Sequence, residues 1–446
     1  MRAIFAVFGY NNLHLLNYPS FFNLLKVSPA ASTSINLSVP KMNIPARCVA
    51  VAFLATIVIA ATANGMAATQ TWTVLSGDWH TPSNWGGTTP TKGLNAAIVN
   101  GGTATVTQLG ETCRVLSLGS SSSAESGTVQ MNAGSLSAIF NELIGNSGPG
   151  IFTQSGGTHS ADLYLGNLGG GSGTYNLSGG SLSTSSVVIG NSGPGSFTQT
   201  GGTHSVSSEM YLGYDTGSSG TYTLSGSGLL SASFESVGGL GIGNFTQSGG
   251  THSASGLVLA ESASSAGIYN LNGGLLTLSG LIEGLGSAAF NFSGGTFQAG
   301  STFSTSMPIV LGEAGSNAVF DTGGNNLTLS GGLGGFGSLT KIGGGALILS
   351  GTDLYRGGTK VNSGMLAVTS SSALPDNQSL TVGAGGTLIF DPSYSFSPIL
   401  GTLAPPLAMN SPVNPVPEPN TLVLLMVGLA VGLATWQRNY TLSPRR

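Results

Sequence analysis

Three evenly spaced histidines are the residues best suited to chemistry in this chain. His159, His204 and His252 each close a Gly-Gly-Thr-His tetrapeptide, and a glutamine (Gln154, Gln199 or Gln247) precedes each at the same distance. Recurrent imidazoles suit metal ligation or proton transfer. Their spacing argues against a shared metal. The copies that carry His alternate with copies that lack it, so strands stacked about 4.8 Å apart would separate successive imidazoles by about 10 Å. Zinc needs each nitrogen at about 2.0–2.1 Å. The other copies place Leu182, Leu229 and Leu276 at the histidine position, with Leu136 and Phe297 at the ends. A column holding Leu and Phe faces inward. The glutamine position likewise holds Met131, Leu177, Leu224, Leu271 and Phe292 elsewhere. Gln and His appear and vanish together. This predicts buried pairs Gln154–His159, Gln199–His204 and Gln247–His252, each amide satisfying an imidazole, because an unpartnered buried polar group costs about 1–3 kcal/mol. The expectation is a structural core with no catalytic residue, no metal and no cofactor.

The remaining candidates are weaker. Asp162, Glu209, Asp215, Glu235, Glu261 and Glu283 are scattered, and no two acids are expected to share a column. Glycine runs such as 331–337 lack the Gly-Lys-Ser/Thr ending of a phosphate loop. Cys113 is expected to be a buried small hydrophobe, since only Arg114 beside it is basic. Trp72, Trp79 and Trp85 suit a plug for an open solenoid end, the alternative being a sugar-stacking platform.

The elements that must position these residues come from one phrase, repeated about every 23 residues from Val129 to Phe297. Its copies begin at Val129, Phe152, Tyr175, Phe197, Tyr222, Phe245, Tyr269 and Phe290. The first, third and eighth positions are apolar in most copies, and a Gly pair or its equivalent separates the third from the eighth. Period-two alternation marks a strand with one buried face, and glycine permits positive φ at a corner. Self-similarity at this period marks a solenoid. The predicted class is all-β: a parallel β-helix. Ala97–Val106 reads as a hairpin-like or coil-edge pair of strands about a Gly-Gly turn.

Only 6% of the 446 residues are charged, against about 25% in an ordinary globular chain. No Lys or Arg lies between Arg114 and Lys341. Nucleic acid needs clustered cations, so it is excluded as a partner.

The expected order along the chain is as follows. Residues 1–41 form an extension outside the native protein, with translation starting at Met42. Residues 42–68 carry the basic start, apolar run and small-residue cleavage sites of a signal peptide. A cap and first coils occupy 69–120, and the repeat helix 121–336. Residues 337–397 form coils of a different register, 398–419 a Pro-rich linker, and 420–446 a short membrane helix with a basic tail. The apolar run Leu422–Trp436 is shorter than the usual span of about 20 residues.

Two resemblances follow from motifs. Leu339-Thr-Lys341, the glycines at 343–345, Leu349-Ser-Gly351 and Tyr355-Arg-Gly-Gly-Thr359 closely resemble the autotransporter-associated β-strand repeat. That likeness implies a right-handed parallel β-helix in an exported protein. The few residues after Phe390 leave no room for the membrane barrel of a full autotransporter. Pro417-Glu418-Pro419, the apolar run and the basic end at Arg438 resemble the PEP-CTERM sorting signal. That likeness implies an exosortase-like sorting enzyme as a partner, exopolysaccharide as a second, and a C-terminal helix held in the inner membrane of a Gram-negative cell before release to the surface or matrix.

The functional expectation is an exported, non-catalytic surface or matrix structural protein. The alternatives are a carbohydrate-binding or adhesive module, a polysaccharide-degrading enzyme and an ice binder. The last would need regular outward threonines, but the column of Thr153, Thr198, Thr223 and Thr246 is interrupted by Gln130, Asn176, Asn270 and Asn291.

Overall fold

The computed structural model describes residues 67–120 and 125–393. All strand pairings in them are parallel, from Thr69–Thr71 at one end to Leu380–Phe390 at the other. The chain climbs as a β-solenoid in which each segment pairs with its equivalent one coil on. Phe152 lies beside Tyr175, Tyr175 beside Phe197, Phe197 beside Tyr222, and Tyr222 beside Phe245. The column continues through Tyr269 and Phe290.

The phrase explains the stacking. Alternate residues of Ser172–Leu177 are buried, so Tyr175 and Leu177 enter the core while Thr174 and Asn176 face outward. Successive rings from Phe152 to Tyr269 lie nearly parallel, with centroids 4.7 to 4.9 Å apart. That spacing is the strand separation itself, so the backbone ladder and the ring stack share one repeat. Each aromatic pair contributes about 0.5–1.5 kcal/mol beyond its buried area. The corner needs glycine at Gly180 for two reasons. Its φ is +79°, and a Cβ there would come within 2.5 Å of the Gly157 carbonyl oxygen on the coil below.

Asn95–Ile98 and Thr103–Val106 are not paired to each other as in a hairpin. They pair in parallel with the coils on either side, so the glycines between them make a coil corner. The three indoles form the N-terminal plug, all at 1% exposure or less. Trp85 packs edge-to-face on Trp72 and Trp79 at 4.9 and 4.7 Å, and its Nε1 donates to the Trp79 carbonyl. Burial removes the sugar-stacking reading of these rings. Cys113 is buried and unpaired, and burial raises its thiol far above the ordinary range.

Among the described residues no helix is long and apolar enough to cross a membrane. The expected signal segment up to Met66, Pro417, Glu418, Pro419, Arg438 and the helix of 420–446 all lie outside the described residues.

Candidate functional site

Strand register puts the three histidines in one inward column, in the order Leu136, His159, Leu182, His204, Leu230, His252, Leu276 and Phe297. Leu230, not Leu229, fills the position between His204 and His252. The corner Ser225–Gly228 holds one more residue than its neighbours, which shifts the strand and leaves Leu229 half exposed. The glutamines form a second inward column through Met131, Leu177, Leu224 and Leu271. All six polar residues are buried, at 2% exposure or less.

The expected direct amide–imidazole bond is replaced by a bridge. A tyrosine hydroxyl from the next coil stands between the two groups. Tyr175 donates to Gln154 Oε1 at 2.6 Å and lies 2.8 Å from His159 Nδ1. Tyr222 joins Gln199 and His204 at 2.6 and 3.2 Å. Tyr269 joins Gln247 and His252, both at 2.8 Å. Each amide NH2 donates to backbone carbonyls, Ser181 O in the case of Gln154. This fixes the amide with its oxygen toward the tyrosine. The hydroxyl proton is then spent on the amide, so His Nδ1 must carry a proton and donate to the phenol oxygen. Burial, the largest cause, pushes all three tyrosines well above their ordinary pKa and keeps them protonated donors.

The far side of the imidazole divides the three units. His159 Nε2 is 2.9 Å from Glu142, and His252 Nε2 is 2.9 Å from Glu235, all four side chains fully buried. Glu142 and Glu235 share one column, through Leu163, Val187 and Met210. The expectation that no two acids align is therefore corrected. The two pairs differ in alignment: His252 Nε2 hydrogen-bonds Glu235 Oε1, whereas His159 Nε2 and Glu142 Oε2 approach at ion-pair distance without hydrogen-bond geometry. His204 has Val187 where a glutamate would be, and its Nε2 meets the Thr184 hydroxyl at 3.4 Å. Burial, then the neighbouring His159 charge, lowers the pKa of His204 to about 3. The arrangement is a proton-ordered internal brace. Its groups carry the chemistry of an acid–base relay but are sealed from any substrate.

Sequence reasoning missed one exposed histidine. His80 Nδ1 contacts Glu111 at 2.8 Å, beside a shallow groove of about 250 Å³ lined by Glu111, Thr112, Ser135, Ser137, Thr158 and Ser160. The pair can orient an imidazole. The outward Thr column is continuous in register with Gln130, Asn176, Asn270 and Asn291, so its hydroxyl array is broken as expected. No group of three or more His, Cys, Asp or Glu able to hold a metal occurs among the described residues.

The C-terminal coils use buried charge differently. Lys341 is fully buried, and its ammonium donates to the carbonyls of Ile342, Gly343 and Ser363 at 2.7, 2.9 and 3.2 Å. Burial, partly offset by Asp321, lowers its pKa to about 8. Asp353 accepts from the Leu333 amide, and burial raises its pKa to about 7. The Tyr355 hydroxyl bonds that of Thr359 across the Gly-Gly corner. These contacts account for the lysine, tyrosine and threonine of the motif.

Comparison with known proteins agrees with these coils. Residues 339–368 match the passenger-associated-transport-repeat family, and residues 415–439 match the PEP-CTERM protein-sorting motif. The chain is similar to the adhesin BmaC autotransporter of Brucella suis biovar 1, at 38% identity over 107 residues. That stretch is 22% of this chain and spans 3% of the adhesin. No solved structure matches.

Proposed function

We propose that this chain is an exported, non-catalytic surface protein, a stiff β-solenoid carried to the cell exterior by its sorting tail. The observation that carries the reading is the joint presence of a sorting motif at 415–439 and a passenger-type repeat at 339–368. The chemistry of the core supports it, because the recurrent His, Glu, Tyr and Gln groups are spent on each other inside the wall. An exosortase-like enzyme is the expected partner, acting at Pro417-Glu418-Pro419, with anchoring through 420–446 before release. Replacing those three residues by alanine should leave the precursor in the membrane fraction. Unchanged processing and location would overturn the sorting assignment.

The similarity to an adhesin favours a second reading, attachment to extracellular polysaccharide. Its test is binding of the whole chain to a glycan array. Loss of a positive signal on replacing outward Thr198 and Thr223 by Glu would place the contact on that face.

A further inference from the structure

A reactive peptide bond follows the last strand. Asp391–Pro392 is the single Asp-Pro dipeptide of the sequence, and it comes directly after Leu380–Phe390. The Asp391 amide donates to the Val368 carbonyl oxygen at 3.1 Å, and among the described residues no later backbone bond ties the chain to the solenoid. Asp391 is half-buried, whereas Pro392 and Ser393 are exposed, so water and acid reach the bond. The carboxyl of Asp391 is held in place. Its Oδ1 accepts from the Ser393 amide at 2.8 Å and from the Ser393 hydroxyl at 2.6 Å. That closure folds the side chain back across the Asp391–Pro392 bond. An aspartate carboxyl so placed closes a five-membered ring onto its own carbonyl carbon, and proximity favours such an intramolecular attack. Proline supplies the leaving nitrogen, a tertiary amide with no N–H that takes up a proton more readily than an ordinary peptide nitrogen.

We propose that Asp391–Pro392 is a self-cleavage site that separates the solenoid from its sorting tail. A carboxylate oxygen of Asp391 attacks the main-chain carbonyl carbon of the same residue. The C–O bond forms, the C–N bond to Pro392 breaks, and the departing nitrogen takes a proton from solvent to leave as the Pro392 amine. The other product is a cyclic anhydride at residue 391. One water opens it, restoring the side-chain carboxyl and leaving a C-terminal carboxyl beside it. The sum is hydrolysis of one peptide bond, with nothing oxidised or reduced. Asp391 is the nucleophile, and Ser393 is a positioning residue that acts through the carboxyl it holds. The cut falls beyond the Val368 ladder bond, so the described coils keep every strand pairing. The released piece, residues 392–446, carries the whole sorting match at 415–439. The chain thus holds a second route of release on the solenoid side of that motif, one that requires no enzyme. It operates whether or not an exosortase acts at Pro417-Glu418-Pro419.

Mass spectrometry of the purified full chain tests it, at about pH 5, the acid edge of the range in which folds are ordinarily most stable. A solenoid ending in Asp391 and a peptide beginning with Pro392 should accumulate together over days. Asp391→Asn should abolish both. Ser393→Ala should slow them about tenfold, the rate equivalent of one hydrogen bond to a charged group. Ser393→Thr keeps the hydroxyl and should restore the native rate. The same slowing is expected in urea, where the Ser393 contacts are lost. A bond that stays intact in the native chain would overturn the inference. Equal rates in the native chain, in Ser393→Ala and in urea would also overturn it, marking an ordinary acid-labile dipeptide that the fold does not assist. Cleavage that persists in Asp391→Asn would assign the cut to a contaminating protease and sink the proposal in the same way.

Discussion

The repeat coils around His159–His252 and the coils around Lys341 and Asp353 handle the same problem in two ways. In the first region the buried side chains are joined to one another: Glu235 to His252, each His to a Tyr, and each Tyr to a Gln. In the second, buried charge is met by the backbone: Lys341 by three carbonyls, Asp353 by an amide. Side-chain bracing spreads over three coils and repeats with the phrase. Backbone bracing is local to each charge, at Ile342, Gly343 and Ser363 for Lys341 and at Leu333 for Asp353, and each needs only one polar side chain. A substitution in the first region strands a partner that can itself be replaced. In the second, the stranded partners are main chain.

The largest effect should come from Glu235→Leu, which leaves His252 beside a missing carboxyl. Breaking a buried pair in this way costs about 3–5 kcal/mol. Adding His252→Leu should return part of that loss, read as the midpoint of urea unfolding. A double variant no better than the single would break the comparison. Next, Lys341→Met should cost about 2–3 kcal/mol, the scale of hydrogen bonds to a charged group. No second side-chain change should rescue it, since Ile342, Gly343 and Ser363 offer only carbonyls. Tyr222→Phe should cost about 1–3 kcal/mol, because Gln199 Oε1 and His204 Nδ1 both lose their partner.

The smallest effect is in the pH profile, where the regions oppose each other. His204 has a folded pKa lowered to about 3, below the roughly 6.5 of an unfolded chain. The unfolded state then binds more protons between those values, so stability from this group falls as pH drops below about 6.5. Asp353 has a folded pKa raised to about 7, so its contribution is largest at low pH and is lost as pH rises from about 4 to 7. His204→Leu should flatten the acid loss, and Asp353→Asn should flatten the opposite trend. A profile unmoved by His204→Leu would show that folding leaves the pKa of this imidazole unchanged, against the lowering described above.

The coil and its inward columns were legible because the phrase keeps Phe or Tyr, Gln or Leu, and His or Leu at fixed offsets within one strand and corner. The tyrosine bridge was half legible. Tyr175, Tyr222 and Tyr269 alternate with Phe152, Phe197 and Phe245 in step with the missing histidines, a correlation that points to a hydroxyl shared between coils. Glu142 and Glu235 were hidden because each lies further along its strand on the coil below, outside the phrase. The signal was present: Glu142 precedes His159 by the same 17 residues as Glu235 precedes His252. Leu229 misled because a corner of variable length moves the next strand without changing its composition.

Registered stacking is the claim on which both the core and the brace rest. Thr198 and Thr223 are adjacent partners on the outer face, and Thr246 lies one coil further. Cysteines at 198 and 223 sit within the roughly 4.4–6.8 Å that a disulfide spans, whereas cysteines at 198 and 246 lie about 10 Å apart. Mild oxidation should cross-link the first pair and leave the second reduced. Equal cross-linking of both pairs, or none at 198 and 223, would contradict the stacked architecture.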